Sequence, residues 1–273
     1  MSQPRDVFVV SAARTAIGTF GGMLKDTPIA DLATLAVKEA LGRSGVATET
    51  VGHLAMGTVI VTEPRDVYLS RIAAVNAGLP KETPAFNVNR LCGSGLQAIV
   101  SASQAILLGD CEVAVGAGAE SMSRGAYLLP QARWGARMGD SPMLDFVVGA
   151  LHDPFHKIHM GITAENVGEQ FGISRTQMDE LAVESQRRAA AAIAEGRFKS
   201  QIVPIVQQTR KGDVTFDTDE HCKPSTTMES LGKLKPAFKK DGGTVTAGNA
   251  SGINDGAAFF VLADGATAVN AAL

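Results

Sequence analysis

The 273-residue sequence has little that marks a secreted, membrane or nucleic-acid-binding protein. Its three cysteines are an odd, sparse set that suits a reducing compartment better than a disulfide scaffold. The formal net charge is only −3, without the basic excess of proteins that bind nucleic acids or membrane surfaces. The first residues show neither an apolar signal-peptide segment nor an Arg/Ser-rich presequence. We therefore expect a cytoplasmic globular protein that binds neither nucleic acids nor membranes.

Charge is absent from one long segment, residues 91–109. The segment approaches the length of a membrane span, but its serines and glutamines make it too polar for one. A helix without charge on any face is typical of a large protein core. We therefore predict a fully buried helix here.

The remaining pattern alternates strands and helices over residues 1–120. Strands are predicted at 7–10, 53–56, 84–88 and 112–116, and helices at 29–41, 67–77 and 91–109. From 121 the pattern changes to irregular segments, two helices and a β-ribbon at 201–219, and a strand resumes at 256–262. The sequence thus predicts an α/β layered domain formed by 1–120 and 245–265, with 121–244 as an inserted α+β domain.

Cys92 lies between the predicted strand at 84–88 and the helix that follows it. The first free N–H groups of a helix, together with its dipole, favour a thiolate and can hold an oxyanion. Gly93 and Gly95 leave the backbone open to a substrate. Most free cysteines are buried structural thiols, so position alone leaves both interpretations open. Cys111 follows an acidic residue and Cys222 lies in the insertion, so neither is a candidate nucleophile.

Five motifs resemble those of thiolases, the enzymes that make or cleave 3-ketoacyl-CoA. They are Arg14-Thr15-Ala16-Ile17-Gly18, Asn89-Arg90-Leu91-Cys92-Gly93-Ser94-Gly95, Gly118-Ala119-Glu120-Ser121-Met122-Ser123, His159-Met160-Gly161-Ile162-Thr163-Ala164-Glu165-Asn166 and Gly248-Asn249-Ala250-Ser251-Gly252-Ile253-Asn254-Asp255-Gly256. They follow the family's order across nearly the whole chain. The resemblance implies a thiolase-like fold with a mixed sheet, an inserted loop domain, and acyl-CoA acyltransferase activity with Cys92 as the acyl-accepting nucleophile.

The resemblance also implies a set of substrate contacts. His159 and Met160 would lie over the thioester and pantetheine end of the substrate, and Ser251, with Asn249 and Gly252, would contact the pantetheine arm. Lys223 would face the CoA phosphates at a position where relatives often carry arginine, and a lysine there loses bidentate, stacking contact. CoA, acetyl-CoA and 3-ketoacyl-CoA would be substrates, with no permanently bound cofactor.

Thiolases carry a second, structurally similar half. That half supplies a Gly-His-Pro histidine, a second cysteine in Cys-x-Gly-Gly-Gly and an asparagine in an Asn-Glu-Ala-Phe-type motif. None of these motifs occurs in residues 1–273. We therefore expect residues 266–273 to begin a C-terminal half that is otherwise absent, and this chain to be incomplete for full turnover.

Two alternatives stay open, and a third, a metal site, is not favoured. A ketoacyl synthase would share a cysteine on a strand–helix turn, although the two pantetheine-loop motifs favour a thiolase. A catalytically silent fragment that binds CoA or dimerises is the alternative from another class. His152, His156 and His159 have metal-site spacing, but Pro154 interrupts any helix and no further ligands follow, so no metal is expected.

Self-association is a further expectation from the resemblance. Thiolases pair through the first sheet and the segment that leads to the nucleophile. Residues 124–140 resemble the loop that assembles biosynthetic thiolases into tetramers. We therefore expect a homodimer or homotetramer, with a role in fatty acid metabolism.

Overall fold

A computed structural model describes residues 6–210 and 212–270. Contacts divide the chain into two compact units. The first unit comprises Met1–Ala126, Ser200–Thr218 and Asn254–Leu273, and the second comprises Tyr127–Lys199 and Asp219–Ile253. The division differs from the one expected from sequence, because the ribbon near 205–216 belongs to the first unit and residues 245–253 belong to the second. Of the expected start of a C-terminal half, residues 271–273 lie outside the described part.

The elements follow one another in chain order, with those up to β5 in the first unit. They are β1 (Val7–Thr15), β2 (Gly18–Thr19), α1 (Ile29–Ser44), β3 (Val51–Gly57), α2 (Leu69–Asn76), β4 (Ala85–Val88), α3 (Ser94–Leu108) and β5 (Val113–Ser121). A 3-10 segment, Pro64–Tyr68, precedes α2. Then come β6 (Tyr127–Leu128), β7 (Leu144–Asp145), α4 (Phe146–Ala150), α5 (Met160–Phe171), α6 (Arg175–Ala194), β8 (Ile202–Val203), β9 (Ile205–Thr209), β10 (Gly212–Phe216), α7 (Met228–Gly232), β11 (Asn254–Asp264) and α8 (Gly265–Asn270).

One mixed sheet organises the first unit. Its strand order is β4-β3-β5-β11-β1-β8, with β2 paired to β11. The pairs β3–β4, β3–β5 and β1–β8 are parallel, whereas β11 runs antiparallel to β5 and β1. Helix α3 packs on the face that carries Ala55, Ala114 and Leu262, while α1 contacts β1, β11 and β5. The predicted α/β class with a mixed sheet is therefore confirmed, and the predicted strands are present.

Helix α3 differs from the expectation of a fully buried helix. Its small residues Ala98 and Ala102 are fully buried against the sheet. Its large side chains Leu96, Val100 and Leu107 are instead 68%, 41% and 49% exposed. The prediction was wrong because the absence of charge does not reveal which faces have a partner. Among the described residues this is also the one helical segment long and apolar enough to cross a membrane, a criterion that core helices of soluble proteins meet as well.

Helices form most of the regular structure in the second unit, and two of its carboxylates, Glu165 and Asp179, are buried. The sequence suggests a strongly amphipathic α6, yet Asp179 is its only buried residue. Asp179 accepts a hydrogen bond from Arg175 at 2.7 Å, and Arg175 also donates to the carbonyl oxygen of Leu231 in α7. Arg175 thus joins α6 to α7 through a hydrogen bond.

Candidate active site

The turn that carries Cys92 is built by local hydrogen bonds around Ser94. The Arg90 N–H donates to the Ser94 hydroxyl oxygen at 2.8 Å, and that hydroxyl donates to the Leu91 carbonyl oxygen at 2.6 Å. Asn89 accepts from the Leu91 N–H at 3.0 Å. Ser94 is buried, so its two bonds are partly shielded from water, whereas the Asn89–Leu91 bond is exposed. Sequence reasoning assigned Ser94 no role, although a serine next to a helix start is a common signal for such local bonds.

Leu91 gives the turn its unusual backbone. Its φ is 49°, in the left-handed region that residues other than glycine rarely adopt. Such a conformation is strained and persists only where the surrounding contacts enforce it, as it often does at active sites. The Cys92 side chain that follows is exposed. The strained residue thus precedes an accessible thiol.

Helix α3 presents unpaired backbone donors beside Cys92. Gly93 is the N-cap and provides no side-chain cap. Within the described residues, nothing accepts a hydrogen bond from the N–H groups of Gly95 or Leu96. These are the orphan donors of a first helical turn, and they favour an anion. A Cβ at Gly95 would meet open space, which agrees with the expected access to this backbone.

The other two cysteines have different surroundings. A Cβ on Gly52 would lie 2.4 Å from the Cβ of Cys111, so that thiol is packed closely against β3. Burial raises the pKa of the Cys222 thiol, and the nearby Asp219 raises it further. Both observations make these thiols less reactive than an exposed cysteine at a helix start.

The remaining candidate residues all lie in the second unit, and His159 has the most contacts. It is the N-cap of α5, where its Nδ1 accepts a hydrogen bond from the Gly161 N–H at 3.0 Å. Its ring stacks on Phe238 with centroids 4.7 Å apart. Burial lowers the pKa of His159, and the neighbouring His152 lowers it further. The ring is therefore held neutral, with its proton on Nε2.

The three histidines do not form one cluster. His152 meets the His159 ring edge-on at a centroid distance of 5.1 Å, while His156 pairs with Asp153 at 3.0 Å. No group of three or more His, Cys, Asp or Glu side chains that could hold a metal ion occurs in the described ranges.

The side-chain amide of Asn249, one of the expected substrate contacts, makes hydrogen bonds within the protein. Its Oδ1 accepts from the Thr246 N–H at 2.7 Å, and its Nδ2 donates to Asp179 at 2.9 Å and to the Thr244 carbonyl oxygen at 3.0 Å. The amide thus shapes the loop that carries Ser251 and Gly252. Both of those residues are exposed.

Glu165 ties this loop to α5. Its buried carboxylate accepts from the N–H groups of Thr244 and Val245 and from the Thr244 hydroxyl, at 2.8–3.0 Å. Burial raises the pKa of Glu165, but these hydrogen bonds outweigh it, so the net pKa lies below the usual value. The helix that begins after His159 therefore also anchors the loop before Ser251. Sequence reasoning missed Glu165, Asp179 and Phe238, because each has a partner distant along the chain, namely Thr244, Asn249 and His159.

Met160 and Lys223 complete the set. Met160 is the first residue of α5 and is 39% exposed. Lys223 is exposed, and its backbone N–H donates to the Gln186 side chain at 2.8 Å, which fixes its segment on α6. Positive charge in the sequence is also concentrated at 210–213 and 223–240, where it would attract CoA phosphates. Of these segments, Lys211 lies outside the described residues, while 223–240 belong to the second unit.

Comparison with known proteins gives consistent matches over almost the whole chain. The family described as thiolase, N-terminal domain, matches residues 7–266. A beta-ketothiolase of Cupriavidus necator is 63% identical over 264 residues, which cover 97% of this chain and 67% of that protein. An acetyl-CoA acetyltransferase of the same organism is 48% identical, with 96% and 67% coverage.

Solved structures agree with the sequence matches. The acetyl-CoA acetyltransferase of Bacillus anthracis superposes with a TM-score of 0.95 at 43% identity, covering 100% of this chain and 69% of that one. Human mitochondrial 3-ketoacyl-CoA thiolase in complex with CoA gives a TM-score of 0.92, also at 43% identity, covering 97% and 66%. The chain thus spans about two thirds of the length of the relatives it matches.

Proposed function

Because the chain belongs to the thiolase family, we propose that Cys92 accepts an acyl group from a CoA thioester and passes it to a second CoA-bound acceptor. Thiolases act on CoA and its thioesters as substrates and hold no permanent cofactor. The observation that carries the proposal is the exposed Cys92 thiol, which follows the strained Leu91 and lies beside the free N–H groups of α3.

The proposed step is an acyl transfer between sulfur atoms. The Cys92 thiolate attacks the carbonyl carbon of the acyl-CoA, and a new carbon–sulfur bond forms. The bond to the CoA sulfur breaks, and CoA leaves as a thiol after taking up a proton. The free N–H groups of Gly95 and Leu96 favour negative charge near the reacting carbonyl. A second acceptor, either CoA or a CoA-bound carbanion, then takes the acyl group from Cys92.

Substrate binding is assigned by the same proposal to residues of the second unit. His159 and Met160 would contact the pantetheine end, and Ser251 and Gly252 the pantetheine arm, with Lys223 attracting phosphates. The exposure of Ser251, Gly252 and Lys223 supports these roles. We propose that Asn249 contributes indirectly, by shaping the loop, because its side-chain amide is occupied within the protein.

Labelling of the three thiols tests the nucleophile. We expect Cys92 to react with iodoacetamide faster than Cys111 and Cys222, because it alone is exposed at a helix start. Peptide mapping after brief labelling gives the order. Incubation with acetyl-CoA should then add an acetyl group to the same peptide and protect it from labelling. Equal labelling of all three cysteines, or acetylation elsewhere, would contradict the assignment.

Two replacements of His159 distinguish the role of its ring from its role as N-cap of α5. Both His159→Ala and His159→Asn lose the ring that stacks on Phe238 and that is proposed to contact the pantetheine end, so both should bind acetyl-CoA more weakly. Asn is a good N-cap and Ala is not, so His159→Ala should lose about 1 kcal/mol more unfolding free energy than His159→Asn. Acetyl-CoA titration and urea unfolding measure the two effects. Unchanged affinity in both variants would remove His159 from the pocket.

The stabilisation that His159 provides as the N-cap of α5 should also depend on pH. Since the fold lowers the pKa of His159, the neutral ring stabilises the protein fully above about pH 6.5, the unfolded value, and this contribution is lost as the pH falls through the folded pKa. His159→Asn, which caps without titrating, should lack this part of the acid destabilisation. Urea unfolding of both proteins between pH 5 and 7.5 provides the comparison.

A catalytically silent thiolase fragment that binds CoA or dimerises is the second candidate. It is favoured by one observation: in the unit that contains Cys92, His53 is the only histidine among the described residues, and its ring packs edge-on against Phe86. We also propose that the protein is a homodimer or homotetramer of the cytoplasm with a role in fatty acid metabolism. Mass measurement of the purified protein tests the oligomeric state, and cell fractionation tests the cytoplasmic location.

A further inference from the structure

Glu120 lies near the Cys92 turn on the face of the sheet that α3 covers. Gly118 in β5 pairs with Gly57 in β3, and a Cβ on Gly118 would lie 3.6 Å from the Gly95 Cα. This face of β5 therefore lies against the first turn of α3. Because side chains alternate along a strand, Glu120 lies on the same face, about 7 Å further along.

The Glu120 carboxylate holds the backbone that follows β3. One oxygen accepts the Val59 N–H at 3.0 Å, and the other accepts the Ile60 N–H at 2.8 Å. The preceding residue, Thr58, donates its N–H to the carbonyl oxygen of Val88 at 3.2 Å. Val88 is the last residue of β4 and leads directly into the turn of Cys92. Glu120 and Val88 thus bind the same short segment, residues 58–60, and this segment connects Glu120 to the chain that positions the thiol.

Glu120 lies where burial disfavours the charged form of its carboxyl group. Burial raises the pKa of Glu120 to about 7; the bonds from Ile60 and Val59 oppose this rise, and Asp66 adds to it. Other charged groups on the surrounding elements are Asp255 on β11 and Arg90 in the turn. Only a carboxylate offers an acceptor oxygen to each of the two N–H groups, since a glutamine would offer one oxygen and one further donor.

We propose that Glu120 is a positioning residue for Cys92: by binding the N–H groups of Val59 and Ile60, it holds the segment that supports the Asn89–Cys92 turn. The inference rests on the proposed role of Cys92. When Glu120 is protonated, one of its oxygens becomes a donor, and the support is partly released. Glu120→Gln creates the same defect at every pH.

The test compares Cys92 acetylation by acetyl-CoA in three proteins across pH 5.5–8.5. These are the wild-type chain, Glu120→Gln, and the matched control Glu112→Gln. The control removes an exposed carboxylate from the residue that precedes the start of β5, at the end of the strand opposite to Glu120. The ratio of wild-type to Glu120→Gln rates should be close to one at low pH and rise to about three- to tenfold above pH 7, the cost of one hydrogen bond. The Glu112→Gln ratio should stay near one throughout.

Amide hydrogen exchange of Val59 and Ile60 gives a second measurement that needs no variant. In the wild type, their protection, corrected for intrinsic exchange, should increase as the pH rises through about 7. A flat profile, or a rate ratio that stays at one at all pH values, would overturn the inference. If acetyl-CoA modifies a residue other than Cys92 in the wild type, the proposed function fails instead, so the two failures are distinct.

Discussion

Residues 1–273 alone are expected to cleave acetoacetyl-CoA with CoA at least about 10²-fold more slowly than the full-length beta-ketothiolase of Cupriavidus necator, since removing one oxyanion donor costs 10²–10³ in rate. Acyl transfer by a thiol needs a base to take its proton and an acid to protonate the leaving group. The Gly-His-Pro and Cys-x-Gly-Gly-Gly motifs that serve thiolases in this way do not occur in the sequence. A slow, single acylation of Cys92 should remain.

The matched control is the relative shortened to the segment that aligns with this chain. It should lose activity to the same degree, which would trace the loss to the sequence beyond the aligned segment. Single-turnover acetylation of Cys92 should persist in both short chains. Comparable thiolysis by this chain and the full-length relative would contradict the prediction, and would mean that acid and base come from among four of its histidines, His53, His152, His156 and His159.

Self-association through the exposed face of α3 is the second large effect we expect. Leu96, Val100 and Leu107 are spaced by 4 and 7 residues, so they lie on one side of the helix, and all three are exposed. A contiguous apolar stripe of this kind drives association in water. Sedimentation velocity should therefore show species larger than a dimer that increase with concentration.

Replacement of Val100 by lysine should reduce this association, because a charge in the middle of the stripe must remain hydrated. Leu181→Lys is the matched control: Leu181 is 72% exposed on α6, in the other unit. It should leave the sedimentation profile unchanged. If both variants behave alike, or if the wild type sediments as a monomer, α3 is not the surface responsible.

Much of the fold was predictable because its signals are local. The short strand-like runs that became β1, β3 and β5 and the helical spacing in α1 and α3 depend only on neighbouring residues, and the structure contains all of these elements. The extent of α3 burial was not predictable in this way. Apolar composition shows that a helix can be buried, whereas the presence of a partner on each face depends on elements elsewhere.

The candidate site also has features that the sequence predicts and features that it does not. Cys92 was identifiable from its glycine neighbours and its motif, and its exposure at a helix start agrees with that prediction. The strained backbone of the neighbouring Leu91 could not be predicted, because no short sequence pattern forces a leucine into the left-handed region. Asn249 shows the opposite case: its motif suggests a substrate contact, but the structure engages its amide in three internal hydrogen bonds.

The sequence by itself determined the family, the α/β class and the residue that is the candidate nucleophile, since motifs and periodicity are properties of short segments. Only the tertiary structure decided which side chains support the site. Glu120 meets Val59 across 61 residues, and Glu165 meets Thr244 across 79. Such pairs depend on which strands lie side by side and which loop returns to which helix. That arrangement follows from burial of the whole apolar surface, and no local pattern encodes it.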